Sequence, residues 1–256
     1  MNAPALIEPA SPILLEVCVD DLQGLSAAIA GGADRIELCA ALATGGLTPT
    51  AGLLQAAAGS PIPVVAMIRP RAGAFCYDTV EVRQMIHEID AVAAAGLQGV
   101  VLGASLLNGE LDRATLEQLL RRARDRGLSC TLHRAIDLSP DLALATRQAM
   151  ELGFERILTS GGATAAPQGL DGLRRCFDAA EGHITIMPGA GIGPDNVRLL
   201  MEHLPLQEIH ASCSVPAPAG SQQALAFGFD TAGRRQTSAA RVAALKAALA
   251  QRLPAS

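Results

Sequence analysis

The chain has 256 residues, half of them hydrophobic, and a net charge of −5. That supplies apolar material for one large core in a single domain. The acidic balance without a basic stripe excludes nucleic acid and acidic membrane surfaces as expected partners, and a 2% aromatic content with no Trp argues against base-stacking or carbohydrate platforms.

The opening MNAPALIEPASP carries neither a basic n-region nor a continuous apolar h-region, so it does not read as a secretory leader. Residues 1–12 are expected to be a flexible segment. No apolar run approaches the roughly 20 residues of a membrane helix, so a cytoplasmic chain with no membrane partner is expected. The six cysteines, at 18, 39, 76, 130, 176 and 213, contain no CxxC pair and are expected as free thiols.

From residue 13 onward, short apolar runs alternate with runs of helical period. Strands are predicted at 13–19, 34–39, 63–69, 98–102, 128–134, 155–159, 183–188 and 206–211. Helices are predicted at 22–31, 50–58, 79–95, 112–126, 140–152, 169–181, 194–203 and 237–252. Gly32, Gly96 and Gly153 each close a helix before a short turn into the next strand. Strict alternation implies a parallel sheet, and eight units imply closure into a (β/α)8 TIM-type barrel, one domain over 13–252. An open doubly wound sheet is the alternative. It would gather polar strand ends near one switch point, whereas here they spread over the whole strand order. Two loops stand out: 70–78 (PRAGAFCYD), and 212–236, which is long enough to be a lid or disordered.

Side chains two apart on a strand share a face. Glu16 and Cys18, Glu37 and Cys39, Met67 and Arg69, Thr131 and His133, and His210 and Ser212 therefore converge on one inner space. The residues between them are apolar and suit a second buried surface. Barrels place their active sites at the carboxyl ends of the strands. Glu16 and Glu37, on strands about 4.8 Å apart, disfavour double ionisation and suit a general acid or base, or a pair of metal ligands; pairing with an interior Arg is the structural alternative. Cys18 and Cys39 on the same strands suit linear Cu(I) coordination, or are two small core residues. Arg69 and Arg71 fit carboxylate or phosphate recognition. His133, beside Arg134 and Asp137, is an acid–base candidate, and His210 a weaker one. Ser160, Gly161, Gly189 and Gly191 belong to turns after the sixth and seventh strands whose amides suit an anion.

The segments LEVCVD (15–20), GGADRIELCAALATGGLTPT (31–50), MIRPRAGAFCYD (67–78), TLHRAID (131–137), RILTSG (156–161) and PGAGI (188–192) resemble the CutC copper homeostasis protein family, in the expected order from about residue 13 to about 212. The resemblance implies a (β/α)8 barrel, a cytoplasmic location and a link to copper. It places the family's thiols at Cys18 and Cys39, and puts Glu16, Glu37, Arg69, Arg71, His133, Arg134 and Asp137 on motif positions. The likeness loosens over ASCSVPAPAGSQQALAFGFD after the eighth strand. Two functions stay open: Cu(I) binding through Cys18 and Cys39 in copper homeostasis, or an enzyme acting on a small anionic compound. The partner is then a copper ion or a small molecule, and a homo-oligomer is compatible with a barrel of this size.

Overall fold

The computed structural model describes residues 12–218 and 220–251; the expected flexible segment 1–12 lies, apart from Pro12, outside them. Eight βα units run in chain order: β1 (Leu14–Val19), α1 (Leu22–Ala30), β2 (Arg35–Leu38), α2 (Ala51–Ala57), β3 (Val64–Met67), α3 (Thr79–Ala94), β4 (Gly99–Leu102), α4 (Arg113–Asp125), β5 (Ser129–Leu132), α5 (Leu142–Leu152), β6 (Arg156–Thr159), α6 (Leu170–Ala180), β7 (Thr185–Pro188), α7 (Val197–His203) and β8 (Glu208–Ala211). All neighbouring strands that pair do so in parallel, in the order β7-β6-β5-β4-β3-β2-β1-β8. The two ends of that order meet, because a Cβ added at Gly189, just after β7, would stand 3.2 Å from the His210 Cβ on β8. The fold is a single-domain TIM-type (β/α)8 barrel.

Local chemistry sets the element ends. Asp21, Thr50, Asp78, Asp112 and Asp141 accept hydrogen bonds from free amides in the first turns of α1 to α5, and Asp78 forms a capping box with Glu81. Gly153 at the end of α5 has φ +81°, a conformation that a side chain resists.

Strand periodicity splits the interior in two. Leu15, Val17, Ile36, Leu38, Val64, Ala66, Leu132, Ile157 and Ile209 face outward and form the main core against the helices. Cys39, Val65, Met67 and Val101 form a separate, smaller apolar cluster inside the barrel. The remaining inward positions are largely polar, and they build the site.

The segment after β8 carries more order than the sequence implied. It holds β9 (Ser214–Pro216), the short helix α8 (Gln222–Ala226) and β10 (Arg235–Thr237), and β9 and β10 pair antiparallel. The chain then returns to the barrel wall in α9 (Ala239–Leu249). No helix among the described residues is long and apolar enough to cross a membrane.

Candidate active site

The register of the first strands decides which side chains meet. β1 pairs with β2 so that Glu16 stands opposite Arg35 and Cys18 opposite Glu37. On its other side β1 pairs with β8, setting Glu16 opposite His210. The stagger sets Glu16 and Glu37 at different levels although their strands are neighbours. Glu16 sits one layer deeper and takes the role of partner.

That deeper layer is an ion-pair network. Arg35 pairs with both Glu16 and Glu208. Arg156 Nε lies 3.2 Å from a Glu208 oxygen, and its Nη1 donates to Thr131 Oγ1 at 3.4 Å. Burial alone pushes the Glu16 carboxyl up, but hydrogen bonding from His210 and the Arg35 charge outweigh it and hold the group at about 2.

Above this floor, His210 bridges two carboxylates. Its Nδ1 is 2.8 Å from Glu16 Oε1 and its Nε2 is 3.7 Å from Glu37 Oε2. Burial opposes charge on this imidazole, yet Cys18, Glu37 and the Glu16 hydrogen bond together hold it well above its usual range. Glu37 moves the other way. Burial pushes its carboxyl up to about 6, the Glu16 charge adds to the rise, and His210 limits it.

A cavity of about 830 Å³ opens above this layer. Glu37, Arg69, His133 and His210 line it, and each is at least nine-tenths buried. Arg69 is anchored by main-chain carbonyls: Nη1 donates to Thr44 and Gly46 at 2.8 and 3.0 Å, and Nη2 to Gly73 at 3.0 Å. Phe75 packs beside both Arg69 and His133, its ring 5.0 Å from the guanidinium carbon and 4.6 Å from the imidazole centroid. His133 Nδ1 accepts from the Ala135 amide at 3.1 Å, so the neutral ring carries its proton on Nε2. Burial, reinforced by Arg69, pushes His133 down to about 3 and keeps it neutral at pH 7. Gly103 makes room for that ring, since a Cβ there would lie 2.5 Å from it. Glu37 Oε1, Arg69 Nε and His133 Nε2 are buried and have no hydrogen-bond partner among the described residues.

Other candidates have different places. Asp137 lies under the loop after β6 instead of lining the cavity. It accepts from Thr159 Oγ1 at 2.6 Å, the Ser160 amide at 3.0 Å, Ser160 Oγ at 2.9 Å, the Gly162 amide at 3.0 Å and Arg134 Nε at 2.8 Å. Its oxygens are thus committed to holding loops. Arg134 lines the cavity but is tied to Asp137 and, at 2.7 Å, to Ser160. Arg71 points away from the cavity. It pairs with Glu81 and holds the Cys76 carbonyl at 2.8 Å, so it shapes the 70–78 loop.

The expected anion turns are partly spent internally. The Gly161 amide donates to Thr159 Oγ1 and the Gly189 amide to the Thr159 carbonyl, each at 2.9 Å. Gly191 does line the cavity. Sequence reading missed Phe75, Gly103, Arg156 and Glu208. Strand parity held a signal for Glu208, two positions before His210.

Among the described residues, the side chains that bring three metal-ligand atoms within 4.8 Å of one another are Cys18, Glu37 and His210. Cys39 is absent from that group. The register carries it past Cys18 into the apolar cluster with Met67, and its thiol donates to Glu37 Oε2 at 3.6 Å. Burial, the Glu37 charge and Cys18 all push the Cys39 thiol well above its usual range.

Comparison with known proteins follows the same outline. The CutC family model matches residues 13–215. The family protein CutC of Sinorhizobium medicae is 54% identical over 237 residues, covering 93% of this chain and 96% of the relative. That of Rhizobium meliloti is 53% identical over 239 residues, covering 93% and 97%. A solved CutC structure from Streptococcus agalactiae, described in connection with copper homeostasis, superposes with a TM-score of 0.73 at 31% identity, covering 78% of this chain and 98% of the other. The chain belongs to the CutC family.

Proposed function

We propose that this CutC protein is an enzyme that moves a proton on a small anionic compound at the barrel mouth. One observation carries the reading: Glu37 Oε1, Arg69 Nε and His133 Nε2 all lack partners, all are buried, and their residues line one cavity. Unpaired buried polar groups are costly, so a fold keeps three together where a ligand completes them. Arg69 holds the anion. Glu37, poised near 6, takes a proton from carbon beside a carbonyl, and the C–H electron pair moves toward the carbonyl oxygen as an enolate. The His133 Nε2–H donates to that oxygen. Returning the proton to the same or the neighbouring carbon gives epimerisation or isomerisation; expelling a leaving group from the carbon next to the enolate carbon, the group departing with its bonding pair and taking the proton from Glu37, gives lyase chemistry. Glu16 and His210 position Glu37 from below.

The test is deuterium wash-in. Small oxo acids and sugar phosphates are incubated with the protein in heavy water, and loss of carbon-bound proton signal is followed by NMR. Protein-dependent exchange that Glu37→Gln abolishes supports the proposal. Exchange absent across the panel, or unchanged in Glu37→Gln, contradicts it.

A second reading rests on the Cys18, Glu37 and His210 group, and on the copper link stated for the Streptococcus agalactiae protein. One thiol, one imidazole and one carboxylate suit a borderline divalent ion better than the two-thiolate geometry of Cu(I). Competition titration with Cu(I) and Zn²⁺, on wild type and Cys18→Ser, separates the cases. Tight Cu(I) binding lost in Cys18→Ser supports the copper role, and equal binding by the variant removes it.

A further inference from the structure

The turn after β7 keeps three successive amides free. The Gly189 amide before them donates to the Thr159 carbonyl at 2.9 Å, and the Gly193 amide after them to Asn196 Oδ1 at 2.9 Å. Between the two, the amides of Ala190, Gly191 and Ile192 have no acceptor among the described residues, and all three residues line the cavity. Their carbonyls are braced by the wall: that of Ala190 accepts from the Ala166 amide at 3.0 Å and that of Gly191 from Asn196 Nδ2 at 2.8 Å. Ala190 and Gly191 both have positive φ, +80° and +68°. Successive N–H groups on a chain curled in this way line a concavity that suits an anion. An alanine held there is strained, and a fold keeps such strain where it has a use. These amides belong to the loop itself, since α7 begins only at Val197.

A cation stands near the turn. Arg134 lines the same cavity, and its Nη2 donates to the Ala163 carbonyl at 3.3 Å. Ala165 and Ala166 follow at once and pack on the turn, Ala166 through the bond just named and Ala165 because a Cβ on Gly191 would lie 3.0 Å from its own. Three residues of chain span at most about 11 Å, so one short segment ties the guanidinium to the turn. Arg134 Nε and Nη2 are committed to Asp137, Ser160 and Ala163, while Nη1 has no acceptor among the described residues. Several amides and a guanidinium match the terminal oxygens and double charge of a phosphate monoester better than the planar oxygen pair of a carboxylate.

We infer that the turn Ala190–Ile192, with Arg134 beside it, is a subsite for the phosphate group of a small phosphate ester. That the ester is a substrate rests on the enzyme reading, which it narrows: the compound carries a phosphate besides the group that Arg69 holds, and both subsites line one cavity. The subsite itself rests on the turn alone.

Amide NMR and calorimetry on the whole protein test this without turnover. Inorganic phosphate is the probe, and acetate at equal ionic strength the comparator. Phosphate is expected to shift the amide signals of Ala190, Gly191 and Ile192, and to bind at least about tenfold more tightly than acetate. Ala190→Asp sets a like charge against it and is expected to weaken it at least about tenfold. Ala190→Asn keeps the shape without the charge, suits the same backbone, and should stay within about threefold of wild type. Shifts confined to the surroundings of Arg69, acetate binding as tightly as phosphate, no saturation at millimolar phosphate, or equal binding by Ala190→Asp overturns the inference. The amide shifts are read on wild type, so the test stands even if Ala190→Asp fails to fold. Phosphate at the turn without Glu37-dependent exchange would keep the subsite and remove the proton-transfer reading. Glu37-dependent exchange with no response at the turn would do the reverse.

Discussion

The floor and the rim of this barrel both bury charge, and they treat it in opposite ways. On the floor the ions pair with one another, Arg35 with Glu16 and Glu208 and Arg156 with Glu208, although Arg156 Nε makes its contact without a hydrogen bond. At the rim, Glu37, Arg69 and His133 are as deeply buried and each leaves an atom without a partner. Burial costs both layers desolvation, and the floor recovers more of it within the protein, through direct ion pairs. The floor is therefore read as stability and the rim as function. The two meet at His210, which is fixed from below by Glu16 and faces Glu37 above.

The comparison predicts different responses to substitution. The largest effect is expected on the floor. Arg35→Met removes the cation shared by Glu16 and Glu208, leaving Glu16 to His210 and Glu208 to Arg156, and should cost about 3–5 kcal/mol in urea denaturation. A loss under about 1 kcal/mol would mean that the network is not what holds the lumen. Asp137→Ala follows, at about 2–3 kcal/mol, because five hydrogen bonds to one carboxylate tie the ends of β5 and β6. If instead it removes activity without touching stability, Asp137 belongs to the rim after all.

Acid response is expected to be separable by residue. The Glu16 carboxyl sits at about 2 in the fold against an ordinary 4.5, so its contribution is complete above 4.5 and drains away as pH falls toward 2. His133 is held at about 3 against an ordinary 6.5. The unfolded chain then takes up a proton that the fold resists, and stability falls as pH drops from 6.5 toward 3. His133→Gln should flatten that stretch of the curve, and an unchanged slope would contradict a neutral, buried His133. The smallest effect belongs to Arg113→Ala. Its side chain makes an exposed ion pair with Glu151 outside the cavity lining, and deuterium exchange should stay within about threefold of wild type.

Much of this was legible before the structure. Alternation placed all eight strands, and parity sent Glu37, Arg69, His133 and His210 inward. The stagger between strands was not legible, because hydrogen-bond register depends on how the sheet closes and leaves no mark on either strand alone. That is why strand parity alone groups Glu16 with Glu37 and Cys18 with Cys39, while the register sets Cys18 beside Glu37. The glycine turns misled for a related reason. Their amides look available in sequence, but Asp137 and Thr159, from neighbouring strand ends, take several of them. Residues 212–236 read as loop because the short pairing of Ser214–Pro216 with Arg235–Thr237 spans too few residues to show a period.

The claim that the rim gives up stability for chemistry can be tested with no substrate. Urea denaturation of Glu37→Gln and Glu37→Met at pH 7, beside wild type, measures what the carboxylate does for the fold. The account predicts midpoints equal to or above wild type, by up to about 1–2 kcal/mol, because a buried group pushed up to about 6 ionises at a cost in the folded state. A loss of about 2 kcal/mol or more in both variants would show Glu37 to be a structural partner like Glu16, and the distinction between floor and rim would not hold.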